Sequence, residues 1–275
     1  MARSQIEIAR VRLWYSFLEF KLNKNSEYGV EKAIEPHVFR KNKNGDIIRN
    51  KKWRNYSHGL HTPTLRTLES VKPYLPESIK ILNHPIWSVI EKKEKEDILD
   101  LSSLSWDTQK ILFKSNRSLG TIESKLNLGN RDLLMLENKA SLDSLAAQII
   151  FLKDAYNKNK MEEALRIGRS IYRTLLILCT ETPYAKVCDD LILLMELYVF
   201  PLTYNGHKRI SIKNIKNFSE SVIKLRDLFL ALEDEGIIDV GRASHINVMS
   251  KLLNGKYGLD ILQEFLPPLI DQVEK

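Results

Sequence analysis

Apolar residues recur at every third or fourth position over long stretches of this chain, and that period confines it to helices packed on helices. Ala164, Ile167, Ile171, Leu175 and Leu178 make one stripe; Leu142, Leu145, Ile149, Leu152 and Tyr156 make another. Residues three and four apart share one face of an α-helix, so each stripe is a face to be buried. Over residues 5–22, Ile6, Ala9, Leu13, Phe17 and Phe20 repeat the pattern, with Trp14 and Leu18 beside them. From residue 105 onward the pattern predicts helices over 105–116, 119–127, 130–138, 141–157, 160–181, 184–200, 211–233, 241–254 and 257–271. Ser141 with Ser144 is an expected helix entry; Glu235-Gly236 and Asn254-Gly255 are expected exits. Only 11 Gly and 9 Pro occur in 275 residues, which disfavours a turn-rich β-sandwich. No repeat motif of a solenoid is present. The expected fold is all-α, ending in an irregular helical bundle.

Charge divides the chain unevenly. It is 43% hydrophobic, enough to bury a core, and its formal net charge is +7. Residues 1–90 hold 16 Lys and Arg against 8 Asp and Glu, a net of +8, whereas residues 91–275 hold 26 against 27. The run EKKEKED at 91–97 coincides with the change and places a boundary near 91–103. The expected organisation is a basic domain over 1–95 and a neutral all-helical domain over 96–275. A basic part joined to a neutral one is suited to meeting a polyanion.

The basic part contains KKWRNYSHGLHTPTLRTLESV at 51–71. Residues 29–39 are expected to form a short helix. In VFRKNKNGDIIRN, Asn44-Gly45 predicts a hairpin turn or extended loop, with Arg40, Lys41, Lys43 and Arg49 along it. Residues 50–58 then read as a short helix with Trp53 and Tyr56 inward and Gly59 as its stop. Thr62-Pro63 is the expected start of the next helix, with Leu65, Leu68, Val71 and Leu75 as its stripe and Pro73 and Pro76 ending it. Leu82, Ile86 and Trp87 are expected to pack back onto the first helix.

Trp53, Tyr56, Gly59, Pro63, Thr67, Leu68 and Val71 occupy places where this segment resembles the helix-turn-helix domains of the lambda-repressor and Cro-like family. The resemblance covers residues about 48–76, roughly a tenth of the chain. It implies a helix-turn-helix-like N-terminal domain and double-stranded DNA as partner. The hairpin-like segment 38–49 stands where that family joins its two helices by a tight turn. With the aromatics inward, Asn50, Lys51, Arg54 and Asn55 face outward, and Arg and Asn can pair bidentately with guanine and adenine. Lys52, His58, His61, Thr62, Thr64 and Arg66 stand where phosphate contacts would form.

Other chemistry is sparse. Cys179 and Cys188 are nine positions apart without a CxxC, and read as two buried free thiols. His58 and His61 lack the third and fourth ligands that zinc needs, so no metal and no cofactor is expected. Asp189-Asp190 and Glu233-Asp234-Glu235 read as solvated helix ends. No phosphate loop, GxSxG, HExxH or dinucleotide fingerprint is present. The N-terminus carries Glu7 and Glu19 within its apolar pattern and does not read as a signal peptide; Leu191–Phe200 is too short to span a bilayer. These features lead to an expected soluble, cytoplasmic DNA-binding protein of prokaryotic or phage type, a transcriptional regulator or accessory factor without a chemical step. Residues 96–275 would self-associate or bind a protein partner, with no membrane role. One alternative is a helical interaction adaptor without a nucleic-acid role. Another is a ribonuclease or toxin, because Arg54 and His61 are spaced similarly to the Arg-x(4–6)-His element of the HEPN family.

Overall fold

The computed structural model describes residues 3–36, 40–41, 47–48, 51–92, 101–116, 121–238 and 245–271, and the chain is mostly helical. The N-terminal part comprises α1 (Gln5–Leu22), α2 (Glu27–Ile34), strands β1 (Arg40–Lys41) and β2 (Ile47–Ile48), α3 (Lys52–Ser57), α4 (Leu65–Val71), α5 (Ser78–Leu82) and α6 (Ile86–Glu91). After it come α7 (Trp106–Leu112), β3 (Phe113–Asn116), β4 (Thr121–Ser124), α8 (Asn130–Glu137), α9 (Leu142–Asn157) and α10 (Met161–Thr180). A 3-10 turn (Tyr184–Val187) leads into α11 (Cys188–Tyr198), β5 (Lys208–Ile210), α12 (Ile215–Asp234), α13 (His245–Leu253), α14 (Leu259–Glu264) and β6 (Leu269–Asp271). Pairs β1–β2, β3–β4 and β5–β6 are separate antiparallel ribbons.

The bundle centres on α10. Its predicted stripe, Ala164, Ile167, Ile171, Leu175 and Leu178, is buried throughout, and α8, α9, α12 and α13 pack around it. Helix α9 buries Leu142, Leu145, Ile149 and Leu152 and starts where expected, with Ser141 Oγ accepting from the Ser144 N–H at 3.2 Å. Gly236 and Gly255 both take positive φ just past helix ends, as their predicted exit roles require.

A polar hub fastens three helices inside this core. Glu137, at the end of α8, is 1% exposed. It accepts hydrogen bonds from Ser170 Oγ (2.5 Å) and Arg173 (2.8 Å) on α10, and from Asn254 Nδ2 (3.1 Å) beyond α13. Gln148 on α9 donates to Ser170 and Thr174 at 2.9 and 3.0 Å.

Helix α1 is buried on two faces, which a single stripe did not predict. Ile6, Ala9 and Leu13 join the large core, while Val11, Trp14, Tyr15 and Leu18 join a smaller one with Val30, Ile34, Trp53, Tyr56, Val71, Leu75 and Leu82. Phe20 instead turns outward, with the Lys21 ammonium over it and over Phe17. Ile86 and Trp87 of α6 enter the large core, where α6 packs on α9. Arg12 pairs with Asp190 at 2.7 Å, and Lys186 pairs with Glu19 at 2.7 Å. The charge boundary near 91–103 therefore does not divide two separate cores. Residues 93–100, which hold most of the EKKEKED run, lie outside the described residues.

Four predicted helical stretches differ. Residues 113–116 and 121–124 form a hairpin, with Phe113 opposite Ser124 and Asn116 opposite Thr121. Ser and Asn hydrogen-bond locally and weaken a helix, and Thr121-Ile122 is β-branched and favours a strand. The predicted helix over 257–271 stops at Glu264, because Pro267-Pro268 cannot continue it, and 269–271 pair with β5. The expected 184–200 helix opens as a 3-10 turn and becomes α-helical only at Cys188.

Candidate nucleic-acid interface

Aromatic packing sets the local fold. Trp53 and Tyr56 lie one helical turn apart on α3, and both are buried against Trp14 of α1. Trp14 and Trp53 stack with centroids 6.3 Å apart, and Tyr56 meets them edge-on at 5.6 and 5.7 Å. The polar ends of both α3 aromatics are satisfied: Trp53 Nε1 donates to Glu35 at 3.0 Å, and Tyr56 Oη lies 3.2 Å from Thr67 Oγ1. This fixes which edge of α3 is free.

The stop after α3 is a Schellman turn. The Gly59 N–H bonds to Tyr56 O at 3.0 Å and the Leu60 N–H to Asn55 O at 2.7 Å. Gly59 has φ +68°, and a Cβ there would sit 2.8 Å from Ile8 O and 2.9 Å from Ile8 Cγ2 on α1. Gly59→Ala combines left-handed backbone strain with a contact against main chain, so it is expected to lower stability by about 2–3 kcal/mol in chemical denaturation. An effect below about 0.5 kcal/mol would show that the turn does not press on α1.

Helix α4 begins later than the sequence suggested. Its N-cap is Thr64, whose Oγ1 accepts from the Thr67 N–H at 3.4 Å, so Pro63 precedes the helix and does not open it. Thr62 instead hydrogen-bonds to Arg3 and Glu7 of the N-terminal segment. The shift rotates the stripe: Thr67, Val71 and Leu75 are buried, Leu68 is half-buried, and Leu65 is 80% exposed.

Between α3 and α4 lies a groove of about 620 Å³ lined by Lys51, Lys52, Asn55, His61, Thr62, Thr64 and Arg66, together with Glu35 and Ser70. Lys51, His61 and Arg66 are exposed, while Asn55 is half-buried. These ammonium, guanidinium, amide and hydroxyl groups are donors of the type that phosphate oxygens accept. Among the described residues, no cluster of His, Cys, Asp and Glu could hold a metal ion.

Arg54 and His58 stand away from that groove. Arg54 lies on α3 and His58 caps its C-terminal end one turn later; His58 Nδ1 lies 2.9 Å from Arg54 O, and Ser57 donates to Glu27 at 3.1 Å. His61 thus shares its groove with Lys51 and Arg66, not with Arg54. Arg40 and Lys41 form β1 and pair with Ile48 and Ile47, whereas the turn expected at Asn44-Gly45 lies outside the described residues. The Arg40 and Lys41 side chains, and Lys43, Arg49 and Asn50, lie outside the described residues.

Sequence reading missed Glu35. Buried just past the end of α2, it brings both carboxylate oxygens within 2.8 Å of Lys52 Nζ. It neutralises one groove cation and holds that ammonium against the wall. Burial raises the neighbouring Glu31 carboxyl above its ordinary value; Glu35 adds to the rise and Lys52 opposes it. A Glu beside a Pro after a short helix carries no local signal of this role, since its partners are 17 and 18 positions away.

Comparison of the chain finds no matching protein family, no matching curated protein and no matching solved structure.

Proposed function

We propose that this protein binds double-stranded DNA, with the groove between α3 and α4 receiving the phosphodiester backbone. The observation that carries this reading is the convergence on one groove of seven residues nominated from the sequence, from Lys51 at the start of α3 to Arg66 in the first turn of α4. They belong to the part of the chain whose net charge is +8. A concave, hydroxyl- and cation-lined groove suits a sugar–phosphate strand better than the floor of a major groove, where a protruding helix is needed. Arg54 and His58, on the outer edge of α3, would then stand beside the bound strand. The neutral helical remainder would self-associate or hold a partner, and a two-fold arrangement would present two grooves to paired half-sites. Occupancy of the site, without a chemical step, would be the mechanism.

Anisotropy with a labelled random duplex, using the full-length chain, tests this. Full length matters because α1 and α6 share the large core with α9 and α11. Lys51→Ala and Arg66→Ala are each expected to weaken binding about tenfold, at unchanged stability and for any duplex sequence. Unchanged affinity in both variants would rule out the groove as the phosphate-binding site.

A further inference from the structure

The structure brings to one cavity two cysteines that the sequence read as buried free thiols. Cys179 lies in the last turn of α10 and Cys188 is the first residue of α11. The chain doubles back between them, and both thiols line one cavity of about 330 Å³. They are close enough for each to shift the other's acidity. Cys188 Sγ also lies 3.8 Å from Ser219 Oγ, which donates to Asp189 at 2.7 Å. Cys179 is fully enclosed, whereas Cys188 is 6% exposed, and the cavity rim includes Ile223, which is 58% exposed. Small solutes can therefore reach Cys188 first.

The two thiols are not equivalent. Cys188 opens a helix, whose N-terminal end favours an anion, and the cavity also holds Arg226, together with Arg12, which is paired with Asp190, Lys186, which is paired with Glu19, and Asp189, which opposes an anion. Contact with Cys179 lowers the Cys188 thiol below its ordinary value, against the opposing effects of burial and of the Asp189 charge. The same contact, together with full burial, pushes Cys179 up. Cys188, at the helix start and nearer the cavity mouth, is thus the more acidic and more accessible thiol of the two. Among the described residues this pair belongs to no metal-binding cluster.

We propose that Cys188 and Cys179 are a dithiol site for small hydroperoxides, with Cys188 as nucleophile and Cys179 as resolving thiol, closing to a reversible disulfide. In the first step the Cys188 thiolate attacks the terminal oxygen of ROOH. The S–O bond forms, the O–O bond breaks, and RO⁻ leaves and takes a proton as ROH. In the second step Cys179 sulfur attacks the sulfenic sulfur of Cys188. The S–S bond forms, the S–O bond breaks, and hydroxide leaves as water with the Cys179 proton. The two sulfurs together lose two electrons, and the peroxide gains them.

The test uses the full-length protein and hydrogen peroxide. Lys186 stands between the two cysteines, so trypsin separates their peptides unless a disulfide joins them. The expected result is a cross-linked peptide pair, an intact mass lower by about 2 Da, and recovery of both thiols with dithiothreitol. In Cys179→Ser, dimedone is expected to label Cys188; in Cys188→Ser, Cys179 is expected to react at least about ten times more slowly. Peptide mapping of the wild-type chain decides the matter even if a variant fails to fold. Persistence of both thiols, oxygen addition at Cys188 without cross-linking, or earlier oxidation of Cys179 would each overturn the proposal.

Discussion

Trp53→Ala is expected to lower stability by about 3–5 kcal/mol and to abolish nucleic-acid binding at the same time. The indole is fully buried and belongs to the three-ring cluster with Trp14 and Tyr56. Truncation removes that contact area and leaves a cavity that α1 and α3 can close only in part. It also removes the N–H that Glu35 accepts, loosening the carboxylate that holds Lys52 in the groove wall. Trp53→Phe separates the two effects: most of the ring volume remains and the hydrogen bond is lost, so about 1–2 kcal/mol is expected. Urea denaturation followed by circular dichroism measures both. A loss under about 1 kcal/mol for Trp53→Ala would mean that the aromatic cluster does not anchor α3.

Glu137→Ala is expected to be comparably damaging, at about 3–5 kcal/mol, though far from the groove. Ser170, Arg173 and Asn254 all donate to this one carboxylate, and it is nearly inaccessible to water. Removing the acceptor strands an Arg guanidinium and two neutral donors at the junction of α8, α10 and α13. Glu137→Gln keeps the shape and one acceptor oxygen but places an amide N–H₂ among donors, so an intermediate loss is expected. Binding to DNA per folded molecule should not change in either variant. If Glu137→Ala were as stable as the wild type, the hub would not be fastening these helices.

The all-α class was legible because the stripes on α9 and α10 are long and each has a buried partner. The ends of α1 were legible too, since Gln5–Leu22 coincides with its periodic stretch. What periodicity could not show was that α1 serves two cores, because side chains on neighbouring faces all contribute to burial. The pairing of 113–116 with 121–124 was hidden by its brevity: four-residue strands hold too few alternations to compete with a helical reading. At the candidate site, the inward Trp53 and Tyr56 and the Gly59 stop followed from residue type and spacing. The cap shifted from Thr62 to Thr64 because Thr62 is occupied by Arg3 and Glu7, partners more than fifty positions away. Glu35 and the split between Lys52 and Arg54 across α3 depend on the same kind of distant contact. The segment KKWRNYSHGLHTPTLRTLESV is thus two short helices pinned to α1 around a groove, with its aromatics serving as anchors.

The most direct measurement is the salt dependence of duplex binding by the full-length protein and by the double variant Lys51→Ala/Arg66→Ala. Neutralising phosphates releases counterions, so log K should fall linearly with log salt, by about 0.9 for each phosphate contact. The groove account predicts measurable affinity at low salt, a steep negative slope for the wild type, and a slope shallower by about 2 for the double variant. No affinity at low salt, or equal slopes for the two proteins, would contradict it.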